Sequence, residues 1–206
     1  MNKYIFFDVG AHNGKSSLHL VNNPNVMVYV FEPVPEYFNL LCKESINYPN
    51  YKVYNKAVSD YIGRSSFNIC GTGRSSQCSS LLEFSDKTKL EEHWKGYNNF
   101  IYTEKIEVDV TTLKQFIEEN NIDHIDYLHC DVQGCDLKVL KSLGEYINIV
   151  KEGVVETARN EEVKLYKNQE TYSDVEKFLK SNGFEITEVR ANNRLETEFN
   201  VFFKRK

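Results

Sequence analysis

Four short apolar runs in this chain each close on an acidic side chain. Tyr4 to Val9 carries Asp8, Val26 to Phe31 stops at Glu32, Ile125 runs to Asp131, and Ile149 runs to Glu156. Continuous apolar runs of this length, bounded by breakers, read as strands buried on both faces. Between them lie helical patterns. Lys15 to Asn22 places Leu18 and Val21 three apart before the Asn22-Asn23-Pro24 breaker, and Pro35 suits the first turn of a helix carrying Phe38, Leu41 and Ser45. Strand alternating with helix predicts a mostly parallel, doubly wound α/β sheet, in which ligands bind beyond the carboxyl ends of the strands where the strand order reverses. The acids that end strands are therefore the first candidates for function.

Further along, Tyr51 to Val58 reads as a third strand, Ser65 to Ile69 as a fourth piece, and Glu104 to Val110 alternates like an edge strand. Thr112 to Gln115 fits a capping box opening a helix with Leu113, Phe116 and Ile117 on its apolar face, and Leu137 to Leu143 is a helix. Ser173 to Glu176 offers a second capping box, with Tyr172, Val175 and Leu179 spaced along the helix it starts. Phe184 to Val189 and Phe199 to Phe203 read as a closing strand pair. Residues 71–100 break the rhythm with a Gly/Ser/Gln/Cys cluster and a polar stretch, and are expected to form an insert over the acceptor side. The 206 residues show no repeat or linker, and 1–206 is read as a single domain.

Charge narrows the partners. A net charge of −5 disfavours a nucleic-acid or anionic-membrane binder, which needs a basic footprint. The apolar run at Tyr4 is too short and too acidic for a signal peptide or a membrane span. Five cysteines with no C-x-x-C pair are neither a disulfide framework nor a zinc site, and free thiols point to the cytoplasm.

The first turn, Asp8-Val9-Gly10-Ala11-His12-Asn13-Gly14, discriminates among cofactors. A dinucleotide fingerprint needs a glycine where His12 stands, and a P-loop needs one at Val9. A carboxylate just before the first glycine repels a pyrophosphate and suits a cofactor with ammonium and sulfonium charge. Glu32, ending the second strand, is placed to accept hydrogen bonds from a ribose diol. This combination points to S-adenosylmethionine.

The run Phe7 to Gly14 resembles the opening of the FkbM-type methyltransferase family. Val30-Phe31-Glu32-Pro33-Val34-Pro35, Ala57 to Gly63, Ile125 to Gly134 and Leu137 to Leu140 are similar to its later motifs, in its order. Two positions depart from the common pattern: Gln133 stands where an acid is frequent, and His129 where lysine is frequent. The resemblance implies a class I methyltransferase sheet of about seven strands with the last antiparallel, and S-adenosylmethionine-dependent O-methylation of small molecules and sugars. By position it implies that Asp8, Gly10, Ala11, His12, Asn13 and Gly14 line the methionine end of the cofactor and that Ser17 reaches its carboxylate. Glu32 and Pro33 would hold the ribose, and Ala57 and Val58 the adenine.

Methyl transfer needs an aligned acceptor oxygen and a place for its proton. Asp131 is the first candidate base. His129, two residues earlier on the same strand face, is the second. Glu156, at the end of the neighbouring strand, faces Asp131 across the cleft, and the two would be the ligands if a divalent ion is used. Trp94, Tyr97, Tyr102 and Tyr166 are candidate stacking surfaces for a sugar, and Arg64, Arg74 and Arg159 candidate contacts for an anionic acceptor. The expected partner is a small-molecule or saccharide acceptor. Competing readings are a nucleic-acid or protein methyltransferase, and a silent cofactor-binding domain of a larger glycan-modifying protein, because the chain opens directly on a strand.

Overall fold

Seven strands form the main sheet in the order β3-β2-β1-β7-β8-β10-β9. The computed structural model describes residues 3–71, 77–94 and 100–206. The strands are β1 (Tyr4–Val9), β2 (Val26–Phe31), β3 (Tyr51–Tyr54), β7 (Ile125–Cys130), β8 (Val150–Ala158), β9 (Phe184–Ala191) and β10 (Glu198–Arg205). All neighbours are parallel except β10, which runs antiparallel to both β8 and β9. The expected class I methyltransferase architecture is thus present, with the last strand inserted next to the edge. The order reverses between β1 and β7, so the carboxyl ends of these strands form the crevice that a doubly wound sheet offers to a ligand.

The two faces of this sheet differ. One face is apolar: Phe7, Leu128, Val155 and Val201 are buried under α3 (Leu113–Asn120), α4 (Asp136–Lys141) and α5 (Tyr172–Ser181), through Phe116, Leu140 and Leu179 among others. On the other face α1 (Pro35–Glu44) covers only the first strands, where Leu41 packs against Phe6, Val28 and Val30. Register carries that second face across the sheet: Phe6 pairs with Tyr127, Asp8 with His129, His129 with Val154, and Glu156 with Asn200. Side chains alternate along a strand, so Asp8, His129, Glu156, Glu198 and Asn200 all fall on this face.

A second sheet of three strands, in the order β4-β6-β5, stands beside the first: β4 (Ala57–Val58), β5 (Gly63–Cys70) and β6 (Tyr102–Thr111). Two expectations change here. The predicted strand from Tyr51 to Val58 is broken by a turn in which Lys56 N–H donates to the Tyr54 carbonyl, and Ala57–Val58 leaves the main sheet to pair with β6. The supposed edge strand at Glu104 to Val110 is instead the middle strand, because both its sides are paired.

The helix expected over Lys15 to Asn22 is reduced to a 3₁₀ turn at Leu18–Leu20. So short a segment cannot repay nucleation, and its apolar side chains Leu18, Leu20 and Val21 pack one by one against the second core. The capping box at Thr112 is half made, since Thr112 accepts from Gln115 N–H. The second lies two residues earlier than expected: Thr171 caps α5 and Asp174 closes the box. Within the expected insert, α2 (Lys87–His93) is helical, while residues 72–76 and 95–99, with Arg74 and Tyr97, lie outside the described residues. No described helix is long and apolar enough to cross a membrane.

A Cβ on Gly153, inside β8, would meet the Leu128 carbonyl oxygen at 2.3 Å and the Phe203 ring at 2.8 Å. Gly153→Ala should cost about 1–3 kcal/mol, as overpacking does. Thermal denaturation checks this, and S-adenosylhomocysteine binding by the folded fraction should be unaffected.

Candidate active site

Glu32 shapes the crevice. It leaves β2 almost fully buried, its Oε2 accepts the His12 N–H at 2.7 Å, and its Oε1 accepts the Val34 N–H at 2.8 Å. The turn after β1 and the turn after β2 are thereby tied to one carboxylate. Burial pushes that carboxyl up to about 7, the two N–H donors pull it back, and Asp8 adds to the rise. Gly10 and His12 take left-handed backbone angles in the first turn. At Gly10 a Cβ would sit 1.9 Å from the Asp131 carbonyl oxygen, so only glycine lets the loops after β1 and β7 approach this closely.

Two cavities open from this point. The first is a cleft walled by Phe31, Glu32, Pro33, Val34, Ala57, Val58, Phe67 and Leu81. The second is a larger polar cavity beside Ala11, Asn13, Lys15, Ser16, Trp94, His129, Glu156 and Glu198. Gly10, His12, Gln77, Asp131 and Gln133 line both. Asp131 thus stands at the junction.

Its surroundings are defined by Gln133, held at a left-handed φ of 59°. The Gln133 side-chain amide donates to Asp131 Oδ1 at 2.7 Å and to Glu156 Oε2 at 2.9 Å. Its Oε1 lies 2.8 Å from the Tyr166 hydroxyl. Asn192 donates to the other oxygen of Glu156. Asp136 caps the same turn, accepting from Val132 N–H at 2.9 Å and Gly134 N–H at 3.0 Å. The capping duty that a strand-end acid often has therefore belongs to Asp136, and Asp131 is left for the cleft.

The family model for the methyltransferase FkbM domain matches residues 8–186. The chain belongs to the FkbM methyltransferase family. It is 25% identical over 212 residues to methyltransferase sdnD of Sordaria araneosa, covering 89% of this chain and 74% of that protein. Magnesium protoporphyrin IX methyltransferase of Synechocystis PCC 6803, solved with bound S-adenosylhomocysteine, is similar in fold, with a TM-score of 0.54 at 12% identity over 100% of this chain and 75% of that one. TrmK of M. capricolum, solved with the same product, gives 0.51 at 10% identity over all of this chain, which spans 63% of that longer one.

Against this FkbM domain the individual expectations sort themselves. Glu32, Pro33, Ala57 and Val58 line the smaller cleft, Ala11 and Asn13 the larger cavity, and Gly10 and His12 both. Gly14 lines neither; its φ of 77° and the crowding of Leu18 and Leu41 around it make it a packing glycine. Ser17 is fully buried, its hydroxyl 2.7 Å from that of Tyr51, and the neighbour Ser16 faces the cavity in its place. Asp8 lies beneath the floor, fully buried, with Oδ1 3.0 Å from His129 Nδ1 and Oδ2 without a partner. His129 Nε2 is 3.2 Å from Ser16 Oγ. Burial opposes protonation of His129, but the hydrogen bond and charge of Asp8, with Asp131 and Asp136, raise it above the usual histidine range.

Asp131 and Glu156 do come together, yet the Gln133 amide lies between them, in the place an ion would need. Among the described residues no group of three or more His, Cys, Asp or Glu side chains is arranged to hold a metal. Tyr102 and Tyr166 are core aromatics stacked on Phe84, not a sugar platform, whereas Trp94 does face the larger cavity. Arg64 pairs with Asp109 on the surface. Glu198, Asn192, Asn193 and Asn200 also line the larger cavity, and the sequence signal for them is slight: an acid immediately before the apolar Phe199 to Phe203 segment.

Four buried carboxyls, Glu32, Asp136, Glu156 and Glu198, hold their protons unusually well. Besides Glu32, burial and the neighbouring acids push Asp136 up to about 7 and Glu198 up to about 8. Unfolded carboxyls titrate near 4. Their contribution to stability is therefore complete below about pH 4 and is lost as pH rises through 7 and 8. The melting temperature of the ligand-free protein should fall between about pH 4 and pH 8. Glu198→Gln should flatten that fall, by roughly 2–4 °C for each kcal/mol recovered, as measured by melting curves across the pH range.

Proposed function

We propose that this methyltransferase transfers the methyl group of S-adenosylmethionine to a hydroxyl oxygen of a small, polyhydroxylated acceptor, a sugar or glycan. The observation that carries this reading is the position of Asp131, on the walls of both the cofactor cleft and the polar cavity beside it.

The residues present fit the cofactor. Each oxygen of Glu32 holds one backbone N–H and keeps a lone pair, which a ribose diol can use. Val58, Phe67 and Leu81 offer an apolar wall for a purine. Ala11, Asn13 and Ser16 face the larger cavity on the methionine side. When bound, S-adenosylmethionine supplies a methyl group already activated by its sulfonium.

What remains for the chain is orientation and a proton. Asp131 takes the acceptor's proton, and Gln133 fixes its Oδ1 so that the base is held in one geometry. His129, clasped between Asp8 and Ser16, positions the loop after β1 and is not the base. Glu156 bears its own proton, since burial and the charges of Asp131 and Glu198 raise it well above the carboxylate range, so it stabilises the site as a neutral acid. Acid side chains around the acceptor cavity speak for an uncharged or cationic acceptor over a phosphate-rich one.

Asp131→Asn should lower turnover by roughly 10²–10⁴-fold, the usual worth of a general base, with S-adenosylhomocysteine affinity little changed. Calorimetry and a methyl-transfer assay separate the two quantities. Near-normal turnover would remove Asp131 as the base. Glu32→Gln should weaken S-adenosylhomocysteine by about 1–3 kcal/mol. In the wild type that affinity should decline below pH 7, because the diol prefers the ionised carboxylate; in Glu32→Gln it should not. Acceptor class is tested with labelled S-adenosylmethionine and a panel of mono- and oligosaccharides, RNA and protein. Label found only in RNA or protein would overturn the saccharide reading.

A further inference from the structure

The larger cavity contains a carboxyl that none of the steps above uses. Glu198 opens β10, is only 6% exposed, and its Oε1 is buried without a hydrogen-bond partner. Buried acids are ordinarily paired, because water's solvation must be replaced. Glu198 instead faces a cavity that already holds Asp131 and Glu156. Strand register explains the gathering: Asn200 lies opposite Glu156, and Glu198 is two residues from Asn200 on the same face. Lys15 is the lysine in this lining, and His129 is engaged by Asp8.

We propose that the floor formed by Glu198 and Glu156, beside the base Asp131, binds a protonated amine of the methyl acceptor, so that the acceptor is an amino sugar or a similar amino polyol. This inference rests on the saccharide reading above and narrows it. An ammonium group has three donors that spread over separate acceptors. A metal ion needs a tight convergent set, which the described residues do not form. Asn200 and Trp94 add a neutral polar and an aromatic residue to the lining. In the free protein the mutual repulsion of these acids is relieved by protons held on Glu156 and Glu198. Arrival of an ammonium makes those protons dispensable. Binding therefore releases protons to the solvent, from carboxyl to buffer, while the amine keeps its own.

The test uses the full chain saturated with S-adenosylhomocysteine, titrated at pH 6.5, where the free amine is already protonated, with glucosamine, glucose and N-acetylglucosamine in two buffers of different ionisation enthalpy. Methyl transfer to each sugar is followed in parallel with S-adenosylmethionine. Glucosamine should bind at least tenfold more tightly than either neutral sugar, with proton release. Glu198→Gln, which removes an unpaired acid and should fold at least as well, should erase that preference and the proton release while leaving S-adenosylhomocysteine affinity unchanged. Glu156→Gln should reduce both.

Neutral sugars bound or methylated as well as glucosamine would overturn this inference and leave the saccharide reading intact. No binding and no transfer with any sugar would remove both. A parallel loss of S-adenosylhomocysteine affinity in Glu198→Gln would assign the floor to the cofactor's own ammonium. Tight Mn²⁺ binding by the wild type that Glu198→Gln abolishes would make it a metal site. Either result overturns the proposal.

Discussion

Two backbone N–H groups donated to one buried carboxylate hold this site together. Glu32 receives His12 N–H from the turn after β1 and Val34 N–H from the turn after β2, and without it both turns would expose unsatisfied donors beside an apolar cleft. Everything downstream leans on that tie. It fixes the left-handed loop at Gly10 and His12, the loop lets the β7 strand end approach closely, and Asp131 is thereby brought to the boundary between two cavities. The arrangement also sets a polarity. The oxygens of Glu32 are half satisfied by the fold, and their remaining capacity is turned toward whatever fills the cleft.

Parallel register then does for the acceptor side what Glu32 does for the cofactor side. Because β1, β7 and β8 are aligned residue for residue, a polar residue near the end of each strand lands on the same face as its neighbour. Helices α3, α4 and α5 pack apolar side chains onto the opposite face, so the sheet keeps a large core in spite of the acids it carries. Burying several carboxyls on one side is tolerable because they trade charge for protons, at a cost that rises with pH.

Much of this was legible in the chain. Asp131, Glu32 and Glu156 announced themselves because each interrupts a run of apolar residues, and a buried strand advertises its own end. The glycine turn was legible because Gly10 and Gly14 stand four apart just after Asp8, whereas the left-handed angle of His12 had no sequence signal. What failed were readings that depended on local helical periodicity or on strands pairing far away. Leu18 and Val21 sit three apart, as a helix would place them, yet tertiary packing claims them in a 3₁₀ turn. That shift buries Ser17 against Tyr51 and gives the cavity to Ser16. The second sheet escaped because β4 is two residues long, and Ala57 and Val58 look like the tail of β3 until β6 pairs with them. Glu198 escaped because the acids it gathers with, Asp131 and Glu156, lie some forty to seventy residues earlier, and no local pattern points to them.

The acid that was hardest to foresee is also the one whose energetics say most. A residue that caps a turn, as Asp136 does, is fully engaged by N–H donors and gains nothing from a ligand. Glu156 is half-way: Gln133 and Asn192 hold its two oxygens, and the proton it carries replaces a counter-charge. Glu198 has its Oε1 buried without a partner and a proton that burial and the neighbouring acids hold in place. Along this series the fold provides less and less of what the carboxyl requires. A scaffold that satisfies Asp136 so thoroughly has the means to satisfy Glu198 as well. Leaving it short concentrates the site's unmet electrostatic demand at one wall of the acceptor cavity, where a positive group can answer it most completely.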